Sequence, residues 1–387
     1  MKKIPLLFVC LFIISFAKAQ ENVITTGVPF LLVAADARSA GMADNGVATS
    51  ADAFSQQWNP AKYAFAIDKT GFSISYTPYL TDLVNDISLG QLNYYNRLNE
   101  RSAFAGSFRF FGLGNIELRE NADDQPRIVS PSEFAFDGSY SLKLSEKFSM
   151  AVAARYINSN LKVASDAGDA SSASSFAIDI AGFYQTEELS FNEFNGRWRA
   201  GFNIQNLGPK ISYDNTQFNS NFLPANLKVG TGFDFILDDY NKVGVNLEVS
   251  KLLVPTPQNP DLNGDGTITP QERSQNNQDY QSIGWFQGVF QSFSDAPGGF
   301  SEELIEVTYS LGAEYLYQDS FALRAGYFNE NKDKGARQFF SLGAGFKYNV
   351  VKVDVSYLFS TSKVKNPLEN TLRFSLTFNF GDQYDEY

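Results

Sequence analysis

Residues 133–144 read EFAFDGSYSLKL. Phe134, Phe136, Tyr140, Leu142 and Leu144, with Gly138 among them, fall on one side of an extended chain, and Ala135, Asp137, Ser139, Ser141 and Lys143 on the other. Successive side chains of a strand point to opposite faces, so this segment has one greasy face and one wet face. Residues 241–250, NKVGVNLEVS, repeat the pattern: Val243, Val245, Leu247 and Val249 oppose Lys242, Asn246, Glu248 and Ser250. Working outward, about fourteen such segments begin near Gly71, Ser88, Ser102, Glu133, Phe148, Ser174, Arg197, Asn226, Asn241, Ile305, Ser320, Gln338, Val351 and Thr371. Most approach the ~9 to 11 residues with which a tilted strand crosses a bilayer.

Alternation alone also fits a soluble sandwich; the connections separate the two. Turns after the second, fourth, eighth, tenth and twelfth segments are short (NE, SEK, DDY, YQD, YNV), whereas those after the third, fifth, seventh and ninth are long. An antiparallel barrel with its amino terminus in the periplasm places short turns on the periplasmic side and long loops outside. EELSFNEFNG, after the sixth segment, is longer than that rule expects. The last segment, TLRFSLTFNF (371–380), sets Leu372, Phe374, Leu376, Phe378 and Phe380 against Arg373, Ser375, Thr377 and Asn379. At the edge of a soluble sheet that apolar row would invite aggregation. The fold class is therefore all-β: a transmembrane antiparallel β-barrel of about fourteen strands over residues 71–380, followed by an acidic tail at 381–387.

Lys2 and Lys3 precede an apolar run from Ile4 to Phe16 and the small residues Ala17 and Ala19, which predicts a signal peptide over residues 1–19. Its loss removes Lys2, Lys3 and Lys18 and no acid, moving the formal charge from −12 to −15, and takes away Cys10, the one cysteine. So acidic a surface repels nucleic acid phosphate. The chain has no histidine, which excludes His-based general-base catalysis, Ser-His-Asp hydrolysis and His-ligated zinc. Phe and Tyr number 36 and 19, a content that suits aromatic girdles at a membrane interface. Residues 20–70 lack alternation and are rich in Ala, Gly, Asp and Ser; they precede the first strand, so they are expected to start in the periplasm and plug the lumen as a hatch.

ITTGVPFLLVAADARSAGMADNGVATSADAFSQQWNPAKYAF (24–65), SYTPYLTDLVNDISL (75–89) and the barrel that follows resemble the PorV family of outer-membrane proteins of the type IX secretion system. The WNPA stretch, Trp58 to Ala61, is also similar to a signature of the wider FadL group of hatch-bearing barrels. The resemblance implies a protein that is not an enzyme: a carrier in the outer membrane that takes cargo bearing a C-terminal signal domain from the translocon SprA (Sov) to the sortase PorU, with extracellular loops as the contact surface. The FadL similarity implies the alternative of a transporter for hydrophobic small molecules.

DLNGDGTITPQER (261–273) has the spacing of an EF-hand loop. Oxygen-bearing Asp261, Asn263, Asp265 and Thr269 stand at positions one, three, five and nine, Gly266 at six, Thr267 at seven and Glu272 at twelve, a donor set for Ca²⁺. The prolines of LLVPTPQNP deny it a preceding helix, whereas Thr269, Pro270 and Glu272 predict a capped helix after it. By strand count this is the long extracellular loop, residues 254–304. Just beyond, Trp285, Phe286, Val289, Phe290 and Phe293 fall at helical spacing, a stripe expected to meet a protein partner or outer-membrane lipid.

Overall fold

The computed structural model describes residues 23–81, 84–119, 125–161, 172–213, 220–362 and 366–384, so the predicted leader lies outside the described residues. Fourteen long strands follow one another: β1 (Asp68–Pro78), β2 (Ile87–Arg97), β3 (Ser102–Leu113), β4 (Ser132–Ser145), β5 (Phe148–Asn160), β6 (Ala173–Gln185), β7 (Asn195–Leu207), β8 (Asn226–Ile236), β9 (Asn241–Leu252), β10 (Thr308–Tyr317), β11 (Phe321–Asn329), β12 (Gln338–Tyr348), β13 (Val351–Ser360) and β14 (Leu372–Gln383). Each pairs antiparallel with the next, and β14 returns to β1, with Phe72 opposite Phe378 and Ile74 opposite Leu376. The sheet therefore closes and leaves no edge.

Closure sorts the side chains as the alternation requires. In β4, Phe136 and Tyr140 are exposed on the outside, while Ala135, Asp137 and Ser141 are buried within. A row of exposed rings is tolerable because lipid covers it, and among the described residues no helix is long and apolar enough to span a membrane. The lumen wall is largely polar, from Ser73 and Asn93 to Arg155, Glu314, Asp354 and Arg373, with apolar Leu89, Ile157, Phe183, Phe339 and Leu358 among them, and all of these are buried. They are buried against the amino-terminal segment, which fills the barrel with two short helices, α1 (Ala37–Ala40) and α2 (Ser55–Trp58), and a 3₁₀ turn at Pro60–Phe65.

Three strand boundaries differ from the alternation. β1 begins at Asp68 and β14 runs on to Gln383, so part of the expected acidic tail pairs with β1, with Gln383 opposite Asp68. β10 begins at Thr308 instead of near Ile305, because Phe300–Ile305 is helical. Its Glu303, and Glu306 just beyond it, both accept from Lys251 at the end of β9, at 2.8 and 2.7 Å. The long connection from β9 to β10 holds three helices: α3 (Pro270–Ser282), α4 (Trp285–Gln291) and α5 (Phe300–Ile305).

Candidate functional site

The hatch is pinned to the barrel by side chains that no local pattern pairs. Asp36 caps α1, accepting from the Ser39 amide at 2.8 Å, and its second oxygen accepts from the Trp58 indole at 2.7 Å. Arg38 forks onto Glu314 of β10 at 3.0 and 2.7 Å and donates to Asp52 at 2.7 Å, while Arg324 of β11 holds Glu314 from its other side at 2.7 Å. One oxygen of Glu248 accepts from the backbone amides of Gly46 and Val47 at 2.8 and 2.9 Å, and the other accepts from Lys228 at 2.9 Å. Gln56 donates to Asp137 of β4 at 2.7 Å. Such buried charges hold their place only where every partner is present.

The WNPA stretch is the hub of this packing. Asn59 donates to the carbonyls of Val47 and Gly182 and accepts from the Ala61 amide, so one side chain ties hatch turn, hatch helix and barrel wall together. Asn203 of β7 donates to the Trp58 carbonyl at 2.8 Å. The Trp58 ring lies flat on Gly46, where a Cβ would stand 2.4 Å from the indole.

Val23 to Val33 lie at the end of the lumen that carries the long loops: Gly27 donates to the Phe222 carbonyl in the β7–β8 loop, and the Phe30 ring stacks over Phe111 at the end of β3. The chain then descends through the lumen to enter β1 at the opposite end. Packing decides this, because Val28, Phe30 and Leu31 join Leu89, Ile157, Ile211 and Leu223 in one buried cluster. A cavity lies at each end. The loop-side cavity, of about 480 Å³, is bordered by Ile24, Leu32, Lys228, Glu248, Phe328 and Arg337; the turn-side cavity, of about 430 Å³, is bordered by Arg38, Asp52, Arg199, Asp234, Glu314 and Lys352.

In the β9–β10 connection the expected capping box is present. Thr269 donates its hydroxyl and amide to Glu272 at 2.7 and 2.9 Å, and the Glu272 amide donates back to the Thr269 hydroxyl. Asp261 accepts from the Gly264 and Gly266 amides, Asn263 from Asp265 and Asp265 from Thr267, so the loop wraps on its own side chains, with Gly264 and Gly266 at φ +74° and +81°. Among the described residues no group of three or more Asp, Glu, His or Cys gathers as a metal cage. The aromatic stripe is split. Trp285 and Val289 are half-buried, Gly288 between them sits against Pro255 and Phe222, and Phe293 lies past the helix end. Phe286, Phe290 and Phe293 are 61%, 64% and 50% exposed, joined by Phe300 at 76% and Leu304 at 57% on α5. Those two lie within the loop span 254–304 but outside the stripe that the helical spacing of 285–293 picked out.

A closed barrel, a lumen sealed by its own amino terminus and large outer loops together define a plugged outer-membrane barrel. Solved structures of similar fold include "TodX deltaS2S3 mutant monoaromatic hydrocarbon channel" (12% identity over 89% of this chain and 98% of that one, TM-score 0.53) and "CymD monoaromatic hydrocarbon channel" (14% identity, 92% and 99%, TM-score 0.50). A Pseudomonas aeruginosa FadL homologue aligns at 11% identity over 93% of this chain and all of its own, with a TM-score of 0.44. No curated protein sequence matches the chain. The family model described as "Type IX secretion system protein PorV" matches residues 16–259, and the chain belongs to that family of outer-membrane proteins.

Proposed function

We propose that this protein is a non-catalytic carrier of the type IX secretion system. It binds the C-terminal signal domain of exported cargo at the SprA (Sov) translocon and delivers it to the PorU sortase. The observation that carries this reading is the pairing of a largely polar lumen occupied by the amino-terminal segment with an outer face that exposes Phe286, Phe290, Phe293, Phe300 and Leu304. An exposed apolar patch of this extent on a loop-bearing face marks a protein contact. Trp285 and Val289 support it from beneath.

The alternative, a channel for hydrophobic small molecules, draws on the fold shared with monoaromatic hydrocarbon channels. It is disfavoured by the ion pairs of Arg38, Glu314, Arg324 and Asp354 that occupy the lumen, since an apolar solute would have to desolvate them. Affinity purification from native membranes distinguishes the two. Recovery of translocon, sortase or cargo with the wild type, and its loss when Phe286, Phe290 and Phe293 are changed to Ser, is expected; recovery of bound hydrophobic solute and no protein would overturn the carrier.

The 261–272 loop is proposed to hold a structural Ca²⁺, with Asp261, Asn263, Asp265 and Glu272 giving side-chain oxygens, Thr267 its carbonyl, and Thr269 a direct or water-bridged contact. The donors are all hard oxygen and the two left-handed glycines already make the reversal such a loop needs. The ion would draw the carboxylates inward and order the connection below the aromatic patch.

A further inference from the structure

We propose that the hairpin between β6 and β7 is a foot that seats in the headgroup zone of the periplasmic leaflet, and that it takes ammonium-bearing zwitterionic phospholipid there in preference to anionic lipid. The inference rests on the membrane placement of the barrel and not on the carrier role.

The β6–β7 connection is the one turn on its side of the barrel that the sequence shows as too long. Leu189 and Ser190 add a short strand beside β7, opposite Gly196 and Asn195, and the Phe191 amide donates to the Phe194 carbonyl to close the tip. The tip folds against the outside of the barrel. Phe191 stacks on Phe194 at 4.9 Å and 19°, Phe194 reaches Phe235 at 5.4 Å, and Phe233 meets both Phe235 and Trp198 at 4.7 Å. Trp198, Phe233 and Phe235 face outward, because their neighbours Arg199 and Asp234 border the lumenal cavity. Gly196 makes the seat: a Cβ there would stand 2.4 Å from the Phe233 ring, so only a bare backbone lets the ring lie across β7. The result is five rings in mutual contact on the outer face at the turn-bearing end of the barrel, the end at which aromatic side chains anchor barrels in the interface.

Charge names the lipid. Glu187, Glu188 and Glu193 border the foot on one side and Asp238 and Asp239 on the next turn, all exposed; the nearby Lys147 is paired with Glu187 at 3.1 Å. This acid excess repels anionic headgroups within a Debye length, whereas a primary ammonium meets carboxylates and exposed ring faces together.

The chain's one cysteine, Cys10, falls in the predicted leader, so single probes are simple to place. Leu189→Cys and Asn192→Cys keep every ring and carry a polarity-sensitive fluorophore; Asn277→Cys, exposed on α3, is the control. Heat-modifiable mobility confirms each folded barrel before reconstitution into phosphatidylethanolamine vesicles. Iodide quenching several-fold weaker at 189 and 192 than at 277 is expected, with strong quenching by a headgroup nitroxide. Adding Phe191→Ser and Phe194→Ser should restore iodide access, and replacing phosphatidylethanolamine by phosphatidylglycerol should restore much of it. Iodide access equal to the control in every vesicle would overturn the foot. Protection that is the same in phosphatidylglycerol would overturn the headgroup preference. Exposure in vesicles with protection only in native membranes would assign the surface to a protein and overturn the lipid.

Discussion

Arg38 is where hatch and wall are most tightly tied, and replacing it with Met keeps much of its bulk while removing its charge. The guanidinium donates to Glu314 twice, to Asp52, to the Ser50 carbonyl and to the Ser50 hydroxyl, all at 3.1 Å or less, in a buried site. Glu314 keeps Arg324, so it is not left unpaired, but Asp52 loses its ion-pair partner and the hatch loses its link to β10. Breaking a buried pair from one side costs about 3–5 kcal/mol. That loss falls on the opening of the hatch and not on strand pairing, since no barrel ladder passes through Arg38. Amides protected only while the hatch is docked, those of Gly46 and Val47 on Glu248, should then exchange faster by roughly two to three and a half powers of ten. Hydrogen exchange read by mass spectrometry on detergent-solubilised protein measures this, with barrel peptides as internal control. Unchanged protection over 36–66 would refute the reasoning, and equal loss over barrel and hatch would show that the two unfold together.

Asp265→Ala with Glu272→Ala should raise protease cleavage between Pro255 and Ser301 while the barrel stays intact, and chelator should do the same to the wild type alone; equal digestion in calcium and chelator, with no metal by elemental analysis, would refute the ion. Burial pushes the Asp295 carboxyl up to about 6, and in the structure it accepts from the Thr256 amide. A carboxyl raised by folding opposes the folded loop when ionised, so loop stability should fall as pH rises from about 4 through 6; proteolysis of this connection should follow, and Asp295→Asn should flatten the profile. Gly46→Val should overpack the Trp58 contact at a cost of about 1–3 kcal/mol, read as loss of hatch protection with unchanged barrel heat-modifiability.

Much of this molecule is written locally. The pleat turns alternate residues to opposite faces, so EFAFDGSYSLKL announces a strand with a lipid side and a lumen side before any partner is known, and alternating loop lengths announce which end is which. The capping box after 261–269 is local too, closing over three residues. The hatch is not. Arg38 and Glu314 lie 276 positions apart, and Gln56 and Asp137 lie 81, so no spacing reveals that they meet. Only the closed barrel, by burying a polar lumen, makes these charges seek partners on the one segment available to fill it. The same closure carried Val23–Val33 to the loop-bearing end, through one apolar cluster that draws on several strands and the β7–β8 loop. It also left Trp285 half-buried and Phe290 exposed, because residues around a short helix are divided by what the rest of the fold packs beneath them.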